Sequence, residues 1–196
     1  MTAVEARRWS LQDTLLFRPQ PHSDDRGFFV RTLDAETLAR AGLDHTRFVQ
    51  ESQSRSRHRV LRGLHGRRAL SEGKLVRCAR GSIFEAVLDL RPWSATFLRC
   101  DTLVLDDVDH VQLWVPPGLV HGFQVLSEHA DVCYRMDAPY EPGLDLAVAW
   151  DDPDLAIAWP LADPVVSERD RAAPHLAALR DQLKGWFGEA RPNSGR

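Results

Sequence analysis

Between about residue 48 and residue 150 the chain is divided by glycine and proline into short apolar runs, and no other feature limits its fold as strongly. Gly73, Gly81, Arg91-Pro92, Pro116-Pro117-Gly118 and Pro142-Gly143 separate candidate strands at Lys74 to Ala79, Ile83 to Leu90, Thr96 to Leu105, Val111 to Val115, Asp131 to Met136 and Leu146 to Trp150. Glycine punctuates by opening the left-handed backbone region, proline by fixing φ and removing a donor. Within Ile83 to Leu90, Phe84, Ala86, Leu88 and Leu90 fall on one face and Ile83, Glu85, Val87 and Asp89 on the other. A strand turns successive side chains to opposite faces, so a period of two fits a sheet and not a helix. Many short strands at this spacing predict an all-β dominated fold, a sandwich or barrel.

Helices are expected only at the margins. Asp34 stands where it would cap a short helix ending at Ala41, with Gly42 closing it. Further on, Ser167 precedes Glu168 and Asp170, and Leu176, Leu179, Leu183, Trp186 and Phe187 recur at helical spacing. Pro174 is expected to delay or kink that helix. The core barrel is therefore read over about 48–150 and a C-terminal helical segment over about 167–188.

With 196 residues, 43% hydrophobic and 27% charged, residues 1–196 are read as one globular domain. No run approaches the roughly 18 apolar residues that a membrane span needs. Met1 to Ser10 carries Glu5, Arg7 and Arg8 with no apolar stretch after them, unlike a secretory leader. Cys78, Cys100 and Cys133 are odd in number and far apart, which predicts reduced, buried thiols in a cytoplasmic protein. The net charge of −3 conceals six arginines and no acid between residues 55 and 68. This stretch reads as a local anion site or as a solvated Arg-rich loop. Without interleaved aromatics it does not read as a nucleic-acid surface.

Four places carry side chains suited to chemistry. Arg62-Gly63-Leu64-His65 brings an arginine and a histidine together on a strand-edge segment. Histidine titrates near neutrality and is the usual group for taking a proton from carbon beside a carbonyl, although a hydrogen-bonded rim histidine is the competing reading. Pro116-Pro117-Gly118-Leu119-Val120-His121 resembles the second motif of cupin barrels, whose histidine often binds metal. The matching first motif requires a second histidine where Arg67 stands, so the three ligands of a catalytic metal are missing and the barrel reads as metal-free. Tyr134 shares a face with Val132 and Met136, either as an inward phenol with a task or as a core tyrosine whose tip a neighbour satisfies. Lys74 shares a face with Val76 and Cys78 and needs a partner such as Glu85 or Asp89 if it points inward. Asp170, three residues after Ser167, has the position of a reciprocal capping-box member. No P-loop, Gly-x-Gly-x-x-Gly or Ser-His-Asp order is present, which removes kinase and hydrolase readings.

In order and spacing, several of these segments resemble the dTDP-4-dehydrorhamnose 3,5-epimerase family from about residue 13 to 180. The matching text includes Asp25-Arg26-Gly27-Phe28-Phe29, Phe48-Val49-Gln50, Val60-Leu61-Arg62-Gly63-Leu64-His65, Gly73-Lys74-Leu75-Val76-Arg77-Cys78, His121-Gly122-Phe123, Tyr134 and Ser167-Glu168-Arg169-Asp170. The resemblance implies a cupin-type double-stranded β-helix or jelly-roll barrel with short peripheral helices. It also implies a homodimer acting without cofactor on a dTDP-4-keto-6-deoxyhexose. Carried over by position, His65 is the general base held by Asp170, Tyr134 the acid on the opposite face, and Lys74 the cation at the C4 enolate oxygen. Arg26, Gln50 and Arg62 would hold the nucleotide diphosphate, Phe28 would bracket the nucleotide, and Ser52, Glu85 and His121 would line the pocket.

The chain departs from the family pattern at Arg31, where a glutamate is common, at Ser52, where asparagine is frequent, and at Gly66-Arg67, where an aromatic-Gln pair stands. Loss of the ring at Gly66 is expected to open space beside the base. Three alternatives stand beside the 3,5-epimerase. They are a single-position epimerase of a dTDP-4-keto-deoxysugar in natural-product biosynthesis, a non-catalytic sugar-nucleotide-binding cupin, and a metal-dependent cupin oxygenase.

Overall fold

The computed structural model describes residues 4–188; residues 1–3 of the stretch read for a leader, and 189–196 of the single-domain reading, lie outside the described residues. Strands β1 (Val4–Arg8) and β2 (Leu15–Pro19) are followed by a small ribbon, β3 (His22–Asp24) and β4 (Gly27–Phe29), and by helix α1 (Ala35–Arg40). Then come β5 (Gln50–Arg57), β6 (Val60–Arg67), β7 (Lys74–Arg80), β8 (Ser82–Asp89) and β9 (Cys100–Asp106). The barrel is completed by β10 (Gln112–Val115), β11 (Leu119–Val125), β12 (His129–Met136) and β13 (Asp145–Ala147). Last are β14 (Val165–Val166) and the helices α2 (Glu168–Arg171) and α3 (Leu176–Phe187).

One six-stranded sheet runs β1-β2-β10-β7-β12-β5, and the facing sheet runs β13-β6-β11-β8-β9 with β14 parallel to β6. The fold is the cupin-type jelly roll with peripheral helices that the sequence led us to expect. Between the sheets lie Leu16, Val76, Cys78, Ile83, Val87, Leu113, Phe123 and Val132, all buried. Each such aliphatic or aromatic side chain contributes about 1.5–3 kcal/mol when removed from water.

The alternation of Ile83 to Leu90 holds, but both faces are buried. Ile83 and Val87 enter the inter-sheet core, while Ala86, Leu88 and Leu90 pack outward against Leu176, Leu179, Leu183 and Phe187 of α3. Helix α3 therefore covers the outer face of the second sheet, and it carries α2 with it to the flank of β6. Pro174 divides the two helices, and its carbonyl accepts from the Ala149 amide (2.9 Å). Helix α1 begins where the capping rule put it, the Asp34 side chain accepting from the Thr37 amide. Arg31, the charge-reversed position, pairs with that same Asp34 (3.1 Å).

Two expectations are corrected. The strand read from Thr96 begins only at Cys100, because the buried Asp89 carboxylate gathers the preceding residues into a turn. It accepts from Arg91 Nη2 (2.7 Å), Ser94 Oγ (2.6 Å) and Thr96 Oγ1 (2.7 Å). The Arg-rich stretch is not a loop: most of it lies in β5 and β6, strands of opposite sheets joined by a short turn. Its charges are mostly spent locally: Arg55 pairs with Asp131 (2.6 Å), Arg59 donates to the Ala162 carbonyl (3.1 Å), and Arg68 donates to the Gly143 carbonyl.

Candidate active site

Strand β6 carries His65 into the open end of the barrel, and a glycine makes its path available. Gly63 has φ +130, and a Cβ there would lie 2.4 Å from Gly122 Cα. The absence of a side chain lets β6 close on β11, so that His65 pairs with His121 across the strands. The Nε2 atom of His65 meets Asp170 Oδ1 at 2.5 Å. Asp170 comes from α2, where its backbone amide donates to Ser167 Oγ (3.1 Å). The reciprocal capping box therefore does not form: the carboxylate turns to His65 instead, with the Gly63 amide at 3.5 Å. Burial, the largest single influence, pushes the Asp170 carboxyl up, but the hydrogen bond and charge of His65, with Ser167 and Gly63, outweigh it and hold Asp170 below the usual carboxylate range. An ionised Asp170 accepts the Nε2 hydrogen and leaves Nδ1 as the basic nitrogen.

The facing sheet supplies Tyr134 from β12 and Lys74 from β7. The Tyr134 hydroxyl shares a hydrogen bond with Ser54 Oγ (3.1 Å), and burial pushes its pKa upward, which keeps the phenol protonated across neutral pH. Behind the cavity, His121 Nδ1 and Glu85 Oε1 approach to 2.5 Å, both side chains buried. Burial raises Glu85 well above the carboxylate range and depresses His121 well below the histidine range, with the nearby Lys74 and His65 charges adding to the latter. Both shifts favour the uncharged forms of the two groups. Lys74 Nζ lies 3.3 Å from Glu72 Oε1. Neither of its expected partners takes it, since Glu85 is engaged by His121 and Asp89 by Arg91.

These residues open on one cavity of about 400 Å³, whose lining includes His65, Lys74, Tyr134, His121, Gln50, Ser52 and Arg62. The imidazole and the phenol thus share a compartment. Asp170 reaches it through His65, and Glu85 stands behind His121. Arg62 also donates to Ser56 Oγ (2.9 Å). Arg26 and Phe28 are not brought to the cavity of their own chain. They lie on the β3–β4 ribbon, where Arg26 pairs with Asp24 (2.5 Å) and Phe28 packs on His110 with ring centroids 4.6 Å apart. Gly66 lines the same cavity beside His65, and a Cβ there would lie 2.7 Å from the Leu119 carbonyl oxygen and from Val120 Cγ1.

Arg67, Glu72, Tyr140 and Arg169 also line the cavity and were not read as site residues from the sequence. The period of two from His65 marks Arg67 as facing the same way, and Glu72 stands two residues before Lys74. Tyr140 and Arg169 gave no such signal. Cys78 and Cys100 take no part: burial, chiefly, pushes both thiols up to about 12. Among the described residues no three His, Cys, Asp or Glu side chains are grouped to hold a metal ion.

The profile of the dTDP-4-dehydrorhamnose 3,5-epimerase family matches residues 8–178. The chain belongs to that family. A dTDP-4-dehydrorhamnose 3,5-epimerase of Pseudomonas aeruginosa is 40% identical over 175 residues, 89% of this chain and 97% of that one. Among solved structures, a dTDP-6-deoxy-D-glucose-3,5-epimerase of Legionella pneumophila in complex with dTDP-4-keto-L-rhamnose superposes with a TM-score of 0.86 at 34% identity, covering 92% of this chain and 97% of that one. A 4-keto-6-deoxy sugar epimerase from the novobiocin biosynthetic gene cluster of Streptomyces spheroides gives a TM-score of 0.87 at 32% identity, over 91% and 90% of the two chains. As a member of this epimerase family the chain is an isomerase, and the cavity between its two sheets is the candidate active site.

Proposed function

We propose that this chain epimerises dTDP-4-dehydro-6-deoxy-D-glucose at C3 and C5, giving dTDP-4-dehydro-L-rhamnose by acid/base chemistry without a cofactor. The observation that carries the reading is the cavity shared by the His65–Asp170 pair and the protonated Tyr134. His65 Nδ1 takes the hydrogen from a carbon beside the C4 ketone, and the electron pair moves onto the C4 oxygen as an enolate. The Lys74 ammonium stabilises that oxygen, where negative charge appears only on the way to the intermediate. Tyr134 then delivers its proton to the same carbon from the other side of the ring, and the centre is inverted. A base alone would only exchange hydrogen with solvent.

Gln50 and Arg62 line the cavity and hold the nucleotide diphosphate in this reading, Arg62 by its planar donor fork. Ser52, His121 and, behind it, Glu85 form the pocket wall. Arg26 would join the diphosphate and Phe28 the nucleotide. Both stand on a ribbon outside their own cavity, and Phe28 and Phe29 are 57% and 66% exposed. Their roles therefore require a second copy to receive the ribbon, which agrees with a homodimer. We read residues 1–196 as a single epimerase domain acting in the cytoplasm; among the described residues no helix is long and apolar enough to cross a membrane.

Inversion at one carbon only, as in deoxysugar pathways to natural products, is the second reading, favoured by the likeness to a solved 3'-monoepimerase from Streptomyces bikiniensis, 27% identical. Incubation with the keto sugar in D₂O separates the two. Deuterium at both C3 and C5 is expected, whereas deuterium at one carbon supports the second reading and none at either refutes both. In Tyr134→Phe, exchange on the base side should persist while inversion falls by about 10²–10⁴-fold.

A further inference from the structure

Glu72 sits just before β7 and between the two sheets, and it holds two cations at once. Its Oε2 meets Arg67 Nη2 from β6 at 2.8 Å and its Oε1 meets Lys74 Nζ at 3.3 Å. The arrangement is enclosed: side-chain exposures are 5% for Glu72, 6% for Arg67 and 19% for Lys74. Arg67 is fixed further by the Tyr140 ring, 5.2 Å from its guanidinium carbon, and by the Glu141 carbonyl oxygen at 3.4 Å. All three charged side chains line the catalytic cavity.

We propose that Glu72 is a positioning residue for Lys74, and that Arg67 locks Glu72 for that task. The assignment rests on the epimerase reading above. A lysine ends in a compact charge on a four-carbon stem with many rotamers, and its ammonium stabilises an enolate only from one place. Arg67 has a rigid fork and two further contacts, so it fixes the carboxylate. The carboxylate in turn fixes the ammonium. With one anion between two cations the cluster keeps a net positive charge toward the substrate. Without Glu72, two like charges would face each other in a poorly solvated pocket, and Lys74 would swing away from Arg67.

The test is a double-mutant cycle on the full chain, following deuterium incorporation from D₂O into the keto sugar. Glu72→Gln should lower kcat by roughly tenfold, the value of one charged hydrogen bond, with KM changed by less than about twofold. In a Lys74→Ala background the same substitution should add less than about twofold, since Glu72 acts through Lys74. Glu72→Gln leaves Arg67 buried without its counter-ion and is at risk of misfolding. The Arg67→Gln/Glu72→Gln variant removes both charges, and it should keep the wild-type thermal midpoint while showing the same loss in kcat. Losses that multiply across the cycle, or a kcat that is unchanged or raised in Glu72→Gln, overturn the assignment and leave the epimerase reading standing. Absence of exchange in the wild-type chain overturns both.

Discussion

Replacing Asp170 by Asn tests the central pair with little disturbance to its surroundings. The substitution keeps the shape of the side chain, and the α2 cap is untouched because Ser167 Oγ accepts from the backbone amide of residue 170. What is lost is the negative charge 2.5 Å from His65 Nε2. Two effects follow. The imidazolium that forms when His65 takes the substrate hydrogen loses a charge-assisted hydrogen bond of about 1.5–3 kcal/mol. At 1.36 kcal/mol per tenfold, that lowers the exchange rate by about 10- to 150-fold. The Asn amide can also donate to Nε2, turning the Nδ1 atom into a donor and deepening the loss. The assay is the rate of deuterium entry at C3 and C5 under saturating keto sugar, with circular dichroism to verify the fold. Asp170 also sets a pH signature. Its folded pKa lies below the unfolded value, so its contribution to stability is present above about pH 3.9 and disappears as the pH falls through the folded value. The thermal midpoints of wild type and Asp170→Asn should therefore converge toward acid. A folded Asp170→Asn chain with exchange within about threefold of wild type would refute the reasoning.

Two further outcomes follow from packing and burial. Glu85 has the opposite sign: its folded pKa is raised by burial, so the folded chain keeps a proton that the unfolded chain releases, and stability falls as pH rises above about 4.3 until the folded-state carboxyl ionises. Glu85→Gln cannot ionise, so its thermal midpoint should exceed the wild type by a margin that grows with pH over that window; parallel melting curves would contradict the buried neutral carboxyl. Gly73→Ala introduces a Cβ 2.1 Å from Trp114 Cη2, a ring already in edge contact with Phe48. Overpacking of this kind costs about 1–3 kcal/mol, a fall of roughly 2–12 °C in the thermal midpoint at this chain length; an unchanged midpoint would show that the Trp114 ring yields freely.

The barrel was legible in the sequence because its signals are local. Alternation in β8, Gly and Pro between strands, the Asp34 cap and the apolar stripe of α3 each depend on residues near one another in the chain. Strands β5 and β6 were partly hidden, since their arginines give a polar surface that reads equally as a loop. The hydrogen bonds that pair β5 with β12 and β6 with β11 come from distant sequence. Ser167-x-x-Asp170 carried a local meaning that the fold overrode: a carboxylate able to cap its own helix faces an imidazole from residue 65 and binds that instead.

By itself the sequence determined which side chains share a strand face, because a period of two groups Lys74 with Val76 and Cys78, Tyr134 with Val132 and Met136, and Glu85 with Ile83 and Val87. The tertiary structure decided which of them meet. Asp170 reaches His65 only because α3 lies across the second sheet and carries α2 to β6, and Lys74 pairs with Glu72 because Glu85 and Asp89 are already bound to His121 and Arg91. Arg26 and Phe28 match the family text yet stand outside their own cavity, since the ribbon that carries them leaves the barrel. Periodicity is a property of one segment, whereas competition among partners depends on every segment being in place at once.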